Sequence, residues 1–244
     1  MIYDSLKHIK NKIQQNSKVI LFVRLKGLMN DNSGYKNQTS NLLDMIREQL
    51  LPVEIYVPTF TYNFTNTNFF DVDITPSEVG RFSEEIRSNS DYKYYRTLDP
   101  IFSVIETEKG LFKNRKINNN AFGASSVWKY LNKEPHYIIN INLNAPIIMT
   151  QLHYLEYENQ VEYRYMKYFN GTVKDWNKIN HKITYGYYVR KNELDPIWNR
   201  KKLLKICKEK KLVIENGPLK IFKWYGLSNL LKEKLSKNPN YLII

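Results

Sequence analysis

A single cysteine, Cys207, stands in a chain of 244 residues, which excludes an internal disulfide and a cysteine-rich zinc site. A reducing, cytoplasmic setting is the expectation that follows. No apolar run approaches the roughly 20 residues that cross a bilayer, so no membrane partner is expected. The N-terminal stretch carries Asp4, Lys7, Lys10 and Lys12 and lacks the apolar heart of a secretory leader. A Gly-x-Ser-x-Gly elbow, a Walker-type phosphate loop and a Gly-x-Gly-x-x-Gly fingerprint are also missing. Those gaps disfavour a serine hydrolase of the α/β kind, a P-loop nucleotide hydrolase and a nicotinamide enzyme. With no internal repeat, low-complexity tract or flexible linker, residues 1–244 read as one domain.

What is present is an ordinary folded composition, 42% apolar and 25% charged, with 19 Tyr and 11 Phe. The net charge of +13 favours anionic partners such as nucleic acid, phosphorylated cofactors or acidic lipid headgroups. Enrichment in Asn, Lys, Ile and Tyr together is also what AT-biased coding produces, so charge alone does not select among them. Nucleic acid is not the expected partner.

Residues 1–15 read as an amphipathic helix with Leu6, Ile9 and Ile13 on one face and Asp4 as cap. Lys18–Val23 is an apolar run of strand length, residues 41–51 a helix capped by Thr39 or Ser40, and residues 53–57 a second strand. Strand, helix and strand within so short a span predict a parallel crossover, hence an α/β fold. Thr75-Pro76-Ser77-Glu78 has the spacing of a helix start, and residues 83–87 a helix that follows. Residues 102–107 and 137–143 read as strands with a helix over 126–131 between them. Residues 200–211 read as a basic helix, 212–224 as a hairpin around Asn216-Gly217-Pro218, and the end as a helix from Ser228 to before Pro239.

Four histidines exist: His8, His136, His153 and His181. A helix beginning near Thr150 would place Thr150, His153 and Glu156 on one face. A carboxylate there can hold an imidazole in one tautomer, as a general base requires. The same spacing also describes a surface hydrogen-bonded pair, and no second histidine completes a zincin motif. Asp71 to Asp73 and Glu84-Glu85 read as solvated charges flanking helices, and no metal is expected.

Several separated motifs run in one order. Val57-Pro58-Thr59-Phe60-Thr61 resembles the "MPTFT" strand end of the aminoglycoside 3-N-acetyltransferase family. Phe69-Phe70-Asp71, Thr75 to Gly80 and an acidic helix ending in Arg87 follow as they do there. Arg96-Thr97-Leu98-Asp99-Pro100 is similar to its "RS-x-HP" segment, Gly123-Ala124-Ser125-Ser126 to its Gly-x-x-Ser turn, and Thr150-x-x-His153-x-x-Glu156 to its "T-x-x-H-x-x-E" motif. The resemblance covers nearly the whole chain. It implies a central mixed sheet flanked by helices and acetyl-CoA as acyl donor. It also implies that His153 is the general base for an acceptor amine, with Glu156 orienting it and Thr150 beside the reacting centre. Thr59, Thr61, Gly123, Ser125 and Ser126 fall on the coenzyme A side, and backbone N–H groups of the 123–126 turn are candidates for an oxyanion site. Two places depart from the family. Phe22 to Gly27 lacks its "H-S-S-L" sequence, leaving Arg24 or Lys26 to meet the coenzyme phosphates. Asp99 replaces the family's His, which is expected to alter the acceptor pocket together with Asp71.

A polycationic aminoglycoside is repelled at long range by a chain at +13, whereas a nucleotide-linked amino sugar is attracted. Tyr163-Arg164-Tyr165-Met166-Lys167-Tyr168-Phe169 follows the His153 motif, and Arg164 and Lys167 are expected near a diphosphate. This continuation is similar to family members of surface-polysaccharide pathways. The leading expectation is therefore an N-acetyltransferase acting on a nucleotide-linked deoxyamino sugar. An aminoglycoside acceptor comes second and a basic nucleic-acid-binding module third. The chain is compatible with a homodimer.

Overall fold

The computed structural model describes residues 2–28, 34–111, 116–194 and 196–243; Met1 of the expected N-terminal helix lies outside them. Helix α1 (Ile2–Ile9) buries Ile2, Leu6 and Ile9, and a short 3₁₀ turn brings Ile13 to the same side. Strand β1 (Lys18–Val23) then leads through α2 (Gly34–Leu50) to β2 (Glu54–Pro58), which lies parallel to β1 with Lys18 opposite Glu54. This is the predicted crossover. Helix α2 starts earlier than expected, so Thr39 and Ser40 lie inside it rather than capping it.

Next come the short α3 (Phe64–Thr67), β3 (Phe69–Asp71), α4 (Arg81–Ser88) and β4 (Val104–Glu106). The Thr75 to Glu78 segment does not start a helix. The backbone N–H of Glu78 donates to Phe60 O (2.8 Å), and the N–H of Ser77 to the Glu84 carboxylate (2.7 Å). Those bonds keep the chain extended until Gly80, whose φ of +117° turns it into α4. The remaining elements are α5 (Val127–Asn132), β5 (His136–Ile141), α6 (Gln151–Glu158), β6 (Arg164–Lys174), β7 (Asn180–Arg190), α7 (Arg200–Glu209), β8 (Val213–Asn216), β9 (Leu219–Lys223) and α8 (Trp224–Lys237). Ser126, expected inside this helix, instead caps it by accepting the N–H of Lys129 at 3.1 Å.

Six strands form one sheet in the order β4-β2-β1-β5-β9-β8. The central trio β2-β1-β5 is parallel, with antiparallel β4 on one edge and β9 on the other. Alternation along each strand divides the core. Val19, Leu21, Val23, Ile55, Val57, Ile139 and Ile141 pack with α1, α2 and α4 residues such as Leu6, Leu42, Ile46 and Phe82. Ile20, Tyr56, Ile138 and Phe222 face the other side with Trp128, Leu152, Leu155 and Trp224. Each buried aliphatic side chain contributes about 1.5–3 kcal/mol. A second sheet, β3-β6-β7, joins this latter core through Val173, Tyr185 and Tyr188. Cys207 on α7 is fully buried there, and burial pushes its thiol pKa up to about 12.

Arg96 is 0% exposed and stitches the loops above β2 together. Its guanidinium donates to the carbonyls of Thr59 (2.9 Å) and Thr75 (2.6 Å) and lies over the Phe70 ring. Burial brings its pKa down to about 9. Among the described residues, no helix is long and apolar enough to cross a membrane.

Candidate active site

The chain runs from β1 to β2 on one side, while β5 lies on the other, so the sheet has a switch point at the carboxyl end of β1. Ligands of open α/β sheets bind at such points. A cleft of about 460 Å³ opens there, lined by Phe22 and Val23 of β1, Pro58 of β2, the loop residues Phe60, Tyr62, Glu78, Val79 and Phe102, and Thr150 and His153.

Asn140 near the end of β5 sets the position of α6. Its amide donates to Ile148 O and accepts from Ile148 N–H, both at 2.8 Å. The loop is thereby folded back so that α6 begins directly after Thr150, with Leu152 and Leu155 anchored in the core. His153 is left on the cleft side, its side chain 27% exposed.

Glu156, one turn on, is fully buried and accepts from His153 Nδ1 at 2.7 Å. Its other oxygen accepts from the Trp198 indole N–H (2.6 Å) and the Tyr163 hydroxyl (3.0 Å). Arg164 Nε lies 2.7 Å from the carboxylate as an ion pair, without the alignment of a hydrogen bond. Burial would raise the Glu156 pKa, but His153 and Arg164 overcome it and hold it below the usual carboxylate value. Burial, followed by the charge of Arg164, lowers the His153 pKa against the pull of Glu156. His153 is therefore a neutral imidazole at neutral pH. Because Nδ1 must carry the hydrogen given to the anionic carboxylate, the lone pair sits on Nε2. The Trp198 ring lies 4.4 Å from the His153 ring, tilted by 35°.

The structure brings together only part of the expected set. His153, Glu156 and Thr150 meet at the cleft. Arg164, expected near a diphosphate, has a side chain 8% exposed and paired with the buried Glu156 carboxylate. Lys167 is exposed on β6, over the Phe169 ring. Asp99, expected in the acceptor pocket, is buried and fully engaged by the N–H groups of Ile101 and Phe102, the Asn118 amide and the Tyr185 hydroxyl. Asp71 is likewise buried, paired with Lys174 at 3.1 Å. Thr59 and Thr61 are turned inward, hydrogen-bonded to Ser103 and to the Pro100 carbonyl. Gly123, Ser125 and Ser126 form the turn into α5, with Ser125 donating to Asn118, and do not line the cleft. Arg24 donates to Asn144, and both it and Lys26 are exposed outside the cleft lining. Of the other histidines, His136 is buried at the start of β5, and His181 pairs with Asp175 at 2.8 Å.

Trp198, Glu78, Tyr62 and Arg200 also line the cleft and escaped the sequence reading. Glu78 was visible within its motif, but its spacing suggested a cap. Trp198 carried no spacing signal, and Arg200 was read only as the start of a basic helix. Among the described residues, no group of three or more His, Cys, Asp or Glu side chains could hold a metal ion.

No protein-family model matches the sequence, and curated proteins give no significant match. Solved structures do match. Sisomicin-bound AAC-VIa aligns with a TM-score of 0.76 at 15% identity, covering 96% of this chain and 97% of that one. AAC-IIIb in a binary complex with CoASH gives 0.74 at 10% identity, covering 97% of each chain. YokD from Bacillus subtilis gives 0.69 at 12% identity, covering 97% and 99%. The chain thus has the fold of the aminoglycoside 3-N-acetyltransferases, as its motif order implied.

Proposed function

We propose that the chain is an acyl-CoA-dependent N-acetyltransferase acting on the amine of a nucleotide-linked amino sugar, such as a deoxyamino sugar for surface polysaccharide. The observation that carries this reading is His153 itself, held through Nδ1 by a buried carboxylate and presented to a cleft at the carboxyl ends of the parallel strands. An alkyl ammonium has a pKa of about 10 and no lone pair to offer. His153 Nε2 takes the proton from the acceptor nitrogen as that nitrogen forms its bond to the acyl carbon and the carbon–sulfur bond breaks. Acetyl-CoA supplies that carbon, activated as a thioester. The apolar walls Phe22, Val79, Leu143 and Ile148 fit an acyl-thioester arm, and Arg200 is placed to meet anionic groups. The fold is also that of AAC-IIIb, whose structure holds CoASH.

The acceptor assignment rests on charge. A chain at +13, with Arg200 in the cleft, favours an acceptor bearing a diphosphate. A second reading, an aminoglycoside acceptor, is favoured by the Glu78 carboxylate in the cleft wall and by the sisomicin bound to AAC-VIa.

Turnover of acetyl-CoA against a panel of nucleotide-linked amino sugars and aminoglycosides separates the two. His153→Ala is expected to lower turnover about 10²–10⁴-fold, with little change in the urea midpoint. Wild-type turnover by that variant would reject His153 as base. Faster acetylation of a kanamycin-like polycation than of any sugar nucleotide would promote the second reading.

A further inference from the structure

Glu156 and His153 share a helix, but the groups that immobilise them come from elsewhere. Tyr163 and Arg164 arrive at the start of β6, and Trp198 from the segment between β7 and α7. Trp198 touches both members of the pair at once. Its N–H reaches Glu156 Oε1 at 2.6 Å, and its ring covers the imidazole at 4.4 Å. A single Nδ1 bond would leave the imidazole free to pivot about that contact. A carboxylate held at one oxygen could likewise rotate away. The indole adds to the restraint on both, because its N–H joins the Tyr163 hydroxyl on one carboxylate oxygen and its face closes one side of the imidazole.

The backbone holding Trp198 is itself pinned. Trp198 bridges to Ile243, and the neighbouring Asn199 donates its N–H to Leu242 O at 2.8 Å while its side chain caps α7 through Lys202. Trp198 also lines the cleft, as does Arg200 two residues on. The strap that holds the pair therefore meets whatever the cleft receives.

We propose that Trp198 is the positioning residue of this site, fixing His153 and Glu156 in the geometry that directs Nε2 into the cleft. The proposal rests on the base assignment made above for its kinetic consequence, though not for its effect on His153 itself. The charged groups acting on His153 are Glu156 from its own helix, Arg164 from β6 and Arg190 from β7. Trp198 is uncharged, so replacing it alters the titration of His153 through the N–H bond lost from Glu156, through geometry and through water access.

Trp198→Phe keeps the ring and deletes the N–H donor, while Trp198→Ala removes both. Two readouts apply: steady-state kinetics against pH with acetyl-CoA and the best acceptor of the panel, and an NMR titration of the His153 ring in the free protein. Trp198→Phe is expected to lower kcat about tenfold, the scale of one hydrogen bond, with KM little changed. The His153 titration and the acid limb of the rate profile should both move to higher pH. Trp198→Ala should move them further. In a double-mutant cycle with Glu156→Gln, the effects should fall short of additivity, because the two side chains share one contact.

A Trp198→Phe variant with wild-type kcat and an unmoved His153 titration would overturn the proposal. So would strict additivity with Glu156→Gln, which marks a merely structural tryptophan. If His153→Ala retains turnover while the titration still responds to Trp198→Phe, the base assignment fails and the positioning contact stands. Phe preserves the ring, and thermal unfolding of that variant separates a local effect from a loss of folding.

Discussion

Glu156 has no solvent contact yet meets His153, Tyr163, Trp198 and Arg164 on its two oxygens. A carboxylate beside a histidine ordinarily raises the imidazole pKa, but here the adjoining guanidinium already balances its charge. Burial chiefly, and then the charge of Arg164, penalises a protonated His153, so its pKa falls. Arg164→Met is expected to raise the His153 pKa and move the acid limb of the kcat profile to higher pH. It should also cost stability, because breaking a buried ion pair leaves the other charge uncompensated, typically by about 3–5 kcal/mol. A pH–rate profile and a urea titration measure the two effects, and an unmoved acid limb would count against the charge-balance account. At this scale the site was half legible. The i, i+3 spacing of Thr150, His153 and Glu156 could be read along one helix. Trp198 comes from residues far along the chain with no periodicity to announce it. Arg164 stood out in sequence, but its charge pointed toward a ligand phosphate when its partner was a buried carboxylate.

Among the elements, β1 and β5 were readable because central parallel strands buried on both faces are continuous apolar runs. The β6–β7 hairpin was not. Its residues alternate Tyr with Lys, Arg and Met, and such amphipathic aromatics look equally like a stacking platform. The false helix start at Thr75 shows the reverse failure, since the cap spacing was present but Glu84 and the Phe60 carbonyl had already engaged the backbone. The connection from β5 to α6 depends on one side chain, Asn140, only 2% exposed. Asn140→Ala would leave the N–H and C=O of Ile148 without partners, a loss of about 2–3 kcal/mol. Turnover should fall further than that stability loss explains, because α6 carries His153. Equilibrium unfolding together with kcat at a temperature where the variant stays folded would check this, and full activity would separate the loop from the site.

At the scale of the whole molecule, a buried histidine gives the fold a pH-dependent contribution to stability. His136 is 3% exposed, with Nδ1 at 2.9 Å from the Glu134 carbonyl, and burial pushes its pKa down to about 4 from an ordinary 6.5. The unfolded chain therefore binds more protons than the folded one between those values, and stability is lost as pH falls through the window. The contribution is about 3 kcal/mol. His136→Gln should reduce the difference in unfolding free energy between pH 7 and pH 4 by roughly that amount, and an unchanged difference would place the acid sensitivity elsewhere. Exposed ion pairs such as Lys205–Glu209 and Lys237–Glu233 are, by contrast, of small individual worth.

The chain's one sulfhydryl is sealed inside the fold, with its ionisation pushed to about 12. At neutral pH the reactive thiolate form of Cys207 is then scarcely populated, and reagents in solution cannot approach it. A chromogenic disulfide added to the native protein should register no background from the polypeptide. Coenzyme A freed during turnover would be the sole source of colour, so the acceptor panel can be read continuously, without quenching. The same reagent would signal damage: a burst of one equivalent per chain reports unfolding, independently of catalysis.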